Sequence, residues 1–237
     1  MVGREKHQDK HTELAWLPGM TAAVPIVLGY LPVGFAFGVL AQKAGLNTFH
    51  TLLMSVVVFA GSAQLIAVGL FAANLAPVSI ILTTFIVNLR HLLFSAAIFP
   101  HIADWRKGEL AGFAYELTDE TFALHATRFQ MQAVEKGEAF AINLTSHLAW
   151  VIGSGLGAVA GHLVAEVEPF GLDYVLPAMF IALLVMQIKQ SSQVWAAVMG
   201  GIASVGLSLL GLTQWHVIIG TVIGASFGAW MGLWKKA

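Results

Sequence analysis

Thr84, Asn88, His91 and Ser95 recur at i, i+4, i+7 and i+11 within an otherwise apolar run. On a helix that spacing forms one continuous polar stripe. Polar groups are costly in hydrocarbon, so such a stripe faces a bundle interior or a cavity. Plain interhelical hydrogen bonding accounts for it as well as a solute path does. Arg90 projects from nearly the opposite side. It either snorkels towards charged residues or, if the helix breaks near Asn88, partners an anion. Its guanidinium suits a bidentate carboxylate.

Two further clusters sit in apolar surroundings. In Gly61-Ser62-Ala63-Gln64, the Gly-Ser pair can bend or open a helix. Freed backbone N–H groups would then hold a carboxylate. The bland alternative is a Gln that satisfies a neighbour beside a tightly packed Gly. Asn143, His147, Trp150 and Ser154 share another helix face. His147 titrates near neutrality when unperturbed and is a candidate proton relay, although a lone buried His is more often simply hydrogen-bonded. Asp119 and Glu120 open an amphipathic helix expected over 118–133, with Phe122, Ala126 and Phe129 on one face and Thr118 or Asp119 as its cap. Their ordinary role is to complement the helix dipole.

The elements that position these groups follow from hydropathy. The chain is 57% hydrophobic and only 11% charged, against about 25% charged in a soluble domain. Its mean hydropathy is +0.77. A water-facing surface cannot be built from so few charges. Spanning helices need about 20 apolar residues, and seven segments qualify: 20–41, 49–73, 75–99, 139–164, 172–188, 192–212 and 215–234. Barrel strands would alternate apolar and polar residues over about ten positions, and these runs do not. The expected fold is an all-α, polytopic transmembrane bundle of about seven segments. A polar tail, 1–18, precedes a single transmembrane domain, 19–237, which carries a polar and amphipathic connection at 101–138.

Lys43, Arg106, Lys107, Arg128, Lys136, Lys189, Lys235 and Lys236 fall on one side of a seven-span chain. The positive-inside rule assigns that side to the cytoplasm and leaves the N-terminus outside. The alternative is a first segment broken at Pro25, Gly29, Pro32 and Gly34 into a re-entrant hairpin. Glycines spaced by four, at 153, 157 and 161 and at 220, 224, 228 and 232, mark faces for close helix approach. Packing within the bundle is the simplest use of them. Docking a partner, or letting helices slide during transport, is the sharper one.

Several chemistries have no support. The chain has no cysteine and a net charge of −1, which removes thiol catalysis and gives no electrostatic footprint for nucleic acid. No Walker loop and no His-Glu-x-x-His pair occurs, and no motif supplies a partnered nucleophile. Neither enzyme activity, a cofactor nor a metal is expected.

Phe59-Ala60-Gly61-Ser62-Ala63-Gln64, Asn88-Leu89-Arg90-His91 and Leu117-Thr118-Asp119-Glu120-Thr121-Phe122-Ala123 resemble the AzlC family in order and spacing. So do Pro32-x-Gly34, Phe37-Gly38, Gly171-Leu172-Asp173 and Met179-Phe180-Ile181, and the resemblance covers 25–187. It implies the large subunit of a two-component exporter of branched-chain amino acids. Such a protein would sit in the bacterial inner membrane and work with a small AzlD-type subunit, on a proton or ion gradient. Some similar proteins export methionine.

For a zwitterion with an apolar side chain, the expected substrate-binding residues are Ser62 and Gln64 for the carboxylate, Asn88 and His91 along the path, and Phe59 and Trp150 as apolar walls. His147, Asp119, Glu120 and Arg90 are the candidates for proton or ion coupling. Two rivals are a passive channel for small solutes and a structural or regulatory membrane subunit with no path of its own.

Overall fold

The computed structural model describes the backbone of residues 5–131, 134–164, 166–188, 190–212 and 216–234. Among these residues there is no strand, and the chain forms an all-α membrane bundle, as hydropathy predicts. The helices are α1 (Glu5–Lys43), α2 (Thr48–Val57), α3 (Gly61–Ala72), α4 (Pro77–Asn88), α5 (Arg90–Ile102), α6 (Lys107–Tyr115), α7 (Asp119–Met131), α8 (Lys136–Ala160), α9 (Val175–Gln187), α10 (Ser191–Leu209) and α11 (His216–Trp234). Trp16–Lys43, Pro77–Ile102, α8 and α10 are long and apolar enough to cross a membrane. α2, α3 and Ile219–Gly232 are shorter apolar helices. Lys189, Lys235 and Lys236, used above for orientation, lie outside the described residues.

The broken, re-entrant first segment does not occur. α1 runs unbroken for 39 residues through Pro18, Pro25 and Pro32. These prolines are seven apart, so they fall on one face, and each removes a single donor. Opening the helix would leave more backbone groups unpaired in hydrocarbon, which costs more.

The interruptions fall in the second and third segments. Between α2 and α3, Phe59 takes φ 41, a left-handed conformation that costs a β-substituted residue about 1–2 kcal/mol. Between α4 and α5 the chain tightens at Leu89: its N–H reaches both Phe85 and Ile86 carbonyls, and Leu92 N–H bonds back to Leu89 O.

The chain folds as two compact units, 1–178 and 179–237. In the first, α1 lies along α8 on a glycine seam. A β-carbon on Gly157 would overlap the Phe35 carbonyl oxygen, and one on Gly38 would overlap Ser154 O. One on Gly153 would lie 2.6 Å from Leu31 O. Only glycine lets these backbones meet. In the second unit, Gly220, Gly224 and Gly228 bring α11 against α10, where β-carbons would lie 2.6–2.8 Å from Ser204 and Ala196 atoms. Both stripes are therefore used within the chain.

The polar connection packs against α5 and α8. Phe113, Leu117, Ile98, Ile102 and Ala139 form a small core, flanked by Phe122, Ala126 and Phe129 of α7. The α7 face predicted from sequence packs against this core but stays partly exposed, while Thr121 and His125 of α7 are fully buried. Thr118 caps α7: its Oγ1 accepts from Thr121 N–H at 3.3 Å.

Candidate functional site

The interrupted second segment builds the site. α3 begins at Gly61 with no side-chain cap, so its first N–H groups have no intrahelical acceptor. Gln64 is fully buried and holds the break together. Its Oε1 accepts from Ala60 N–H at 3.2 Å and from Trp150 Nε1–H at 3.1 Å. Its Nε2 donates to Ser55 Oγ at 3.4 Å. A β-carbon on Gly61 would lie 2.8 Å from the Trp150 ring, so glycine here seats the indole. Trp150 stacks on Phe37 at 5.9 Å and meets Tyr30 edge-on at 5.4 Å.

Phe59 lies flat on His147, ring centres 3.9 Å apart. His147 Nε2 is 3.0 Å from Ser55 O, and Nδ1 is 3.0–3.1 Å from both Glu116 carboxyl oxygens. A carbonyl only accepts, so Nε2 must donate. Nδ1 and Glu116 therefore share one proton: either an imidazolium faces a carboxylate, or a carboxylic acid donates to Nδ1.

The third segment enters at its own tightened turn. Arg90 Nη2 lies 2.8 Å from Asp119 Oδ2 and also bonds Ser62 Oγ. Ser62 is buried, and Asp119 nearly so. The next residue, Glu120, accepts from Tyr30 O–H at 2.7 Å, and Tyr30 O lies 2.6 Å from Thr118 Oγ1. Burial raises the Asp119 carboxyl above its ordinary value, while Arg90 pulls it down. Burial also raises Glu120, against the lowering effect of the Tyr30 hydrogen bond.

α1, α3, α5 and α7 thus meet at Tyr30, Ser62, Arg90, Asp119 and Glu120. Gln64, Trp150, His147, Ser55 and Glu116 form a second hydrogen-bonded group across the α2–α3 break.

The stripe of the third segment fares differently. Thr84 Oγ1 bonds Ile80 O at 2.8 Å, and His91 Nδ1 lies 3.0 Å from Asn88 O. Both satisfy their own helix, and no described hydrogen bond links Asn88 or His91 to the cluster. Asn88 Oδ1 is buried without a partner among the described residues. Arg90, on the other side of the helix, makes the long-range contacts instead.

Tyr30, Ser55 and Glu116 were not singled out from sequence. A tyrosine inside an apolar helix does carry a signal, since its buried hydroxyl needs a partner. Glu116 directly precedes the Leu117-Thr118-Asp119-Glu120 motif. Nothing local marks Ser55.

Below the cluster, His125 Nε2 lies 2.7 Å from Asn143 Oδ1, and burial lowers His125 to about 4. Arg128 pairs with Glu138, and Lys136 with Glu109 at 2.7 Å. These contacts tie α7 and α6 to the start of α8.

The AzlC protein family model matches residues 25–164, a span that holds every residue of both polar groups. An uncharacterized membrane protein of Archaeoglobus fulgidus is 33% identical over 223 residues, 90% of this chain and 94% of that protein. The branched-chain amino acid transport protein AzlC of Bacillus subtilis is 28% identical over 215 residues, 89% of this chain and 84% of that protein. The inner membrane protein YgaZ of Escherichia coli is 29% identical over 230 residues, 94% of this chain and 93% of that protein. No solved structure matches the chain. Its apolar helices, its ordered motifs and this match over most of its length agree: the chain belongs to the AzlC family of helical membrane proteins.

Proposed function

We propose that this protein is a secondary transporter that exports branched-chain L-amino acids across the bacterial inner membrane. Its Bacillus relative is named a branched-chain amino acid transport protein, and its Escherichia relative an inner membrane protein. The observation that carries the reading is the buried polar cluster itself. The second apolar segment is broken before Gly61, the third tightens at Leu89, and Ser62, Arg90 and Asp119 meet beside both. Non-helical backbone at membrane depth is tolerated where it lines a cavity or is buried in protein, and broken helices are a recurrent site for zwitterions and coupling ions.

The contact between His147 and Glu116 supports a proton as the coupling ion. The partner expected from the family resemblance, a small AzlD-type subunit, belongs to the same proposal.

Reconstitution in proteoliposomes tests it. With an imposed proton gradient, and with the small subunit present, labelled leucine is expected to cross faster than in empty vesicles. Unlabelled leucine on the far side is expected to stimulate uptake, as a carrier requires. Equal flux with and without trans leucine would mean a passive pore. No flux under any condition would leave a non-transporting membrane subunit.

A further inference from the structure

We propose that Arg90 binds the α-carboxylate of the transported amino acid, and that Asp119 is the chain's own carboxylate, held in that place until substrate displaces it. This rests on the transport reading above.

The side-on edge of an arginine presents two parallel donors, Nε–H and an Nη2–H, and a carboxylate laid along it fills both. Asp119 engages Nη2: its Oδ2 is 2.8 Å from that nitrogen. Nη2 also reaches Ser62 Oγ. Nε is buried and has no partner among the described residues. An unmade hydrogen bond from a buried cationic donor is costly, so this edge is an incomplete site. The surroundings suit an anion too. Ser62 lies in the first turn of α3, where the leading N–H groups and the helix dipole favour negative charge.

Charge balance selects the ligand. Taking Asp119 off Arg90 strands a carboxylate beside Glu120 in a largely buried place. A simple carboxylate would complete Arg90 and leave Asp119 unpaired. A zwitterion does both jobs: its carboxylate takes Arg90, and its ammonium, one carbon away, faces the released Asp119. One internal ion pair becomes two intermolecular pairs, with no net charge buried. The site therefore rejects carboxylates without an ammonium, and amines without a carboxylate.

The experiment is competition against labelled leucine on the full-length protein in proteoliposomes, with leucine, leucinamide and 4-methylpentanoate as competitors. On wild type, both analogues are expected to compete at least roughly tenfold more weakly than leucine. Asp119→Asn removes the stranded charge, so 4-methylpentanoate is expected to gain roughly tenfold relative to leucine, while leucinamide does not. Arg90→Lys is expected to weaken leucine by tenfold or more, since an ammonium cannot offer the fork.

Leucinamide competing as well as leucine on wild type would overturn the proposal, even if every variant failed to fold. So would an unchanged leucine to 4-methylpentanoate ratio in Asp119→Asn that still binds leucine. In both cases leucine transport itself would stand. Absence of leucine flux by wild type would instead remove the transport reading, and this inference with it.

Discussion

The two glycine seams are built alike and carry different loads. α1 meets α8 through Gly38, Gly153 and Gly157, and α10 meets α11 through Gly220, Gly224 and Gly228. In both, small residues four apart let backbones touch. The α8 helix also carries Asn143, His147 and Trp150, which are buried and bonded to α7, to the connection and to the α2–α3 break. The α10–α11 pair is flanked by apolar residues, and many of them, such as Val198, Ile202, Val205 and Val222, are exposed on its outer faces. A glycine stripe in a membrane chain thus reports close approach and nothing more. Function depends on which polar groups the close approach brings together.

Substitutions can break this contrast. The largest effect is expected at Gly157: Gly157→Leu puts a side chain into the Phe35 backbone, and no folded, monodisperse protein should be recovered by size-exclusion chromatography. Overpacking of this kind usually costs about 1–3 kcal/mol, but here neither backbone has room to yield.

Acid comes next. The His125 imidazole titrates near 6.5 when unfolded and near 4 when folded, because burial disfavours its charged form. Between those values the unfolded chain binds a proton that the folded chain does not. Stability is therefore full above pH 6.5 and falls as pH drops through the window, by up to about 3 kcal/mol. Thermal unfolding of wild type and His125→Phe across pH 4–7 checks this: the variant should lose much of the slope. Trp150→Phe removes the indole bond to Gln64 and should cost about 1–2 kcal/mol, read as a lower unfolding temperature. Smallest of all is Gly232→Ala. It has open space around it, so stability should stay within about 0.5 kcal/mol of wild type.

Much of this was legible beforehand. Apolar run lengths marked seven segments, of which four match helices long enough to cross a membrane among the described residues; Gly61-Ser62 marked a break, and Thr118 marked the cap of α7. These are local signals, set by hydropathy, backbone freedom and helix period. The pairing of the polar groups was not local. Arg90 and Asp119 are 29 residues apart, and Tyr30 and Glu120 are 90 apart. No spacing rule links residues so distant. The stripe through Thr84 and His91 was conspicuous, yet its members bond to their own helix, because a helical carbonyl within reach satisfies a hydroxyl or an imidazole as well as a neighbour does. The prolines of α1 suggested a break, yet the helix runs on through all three, each of which removes only one donor.

The absence of cysteine makes the decisive measurement simple. Ser62→Cys and Ser204→Cys each place a single thiol, one in the polar cluster and one in the second seam. The rate of labelling by a methanethiosulfonate reagent is then measured in proteoliposomes with and without saturating leucine. If the cluster is the route, leucine should slow labelling at position 62 at least roughly fivefold and leave position 204 unchanged. Equal rates at position 62 with and without leucine, in vesicles that still carry leucine, would show that the amino acid crosses elsewhere.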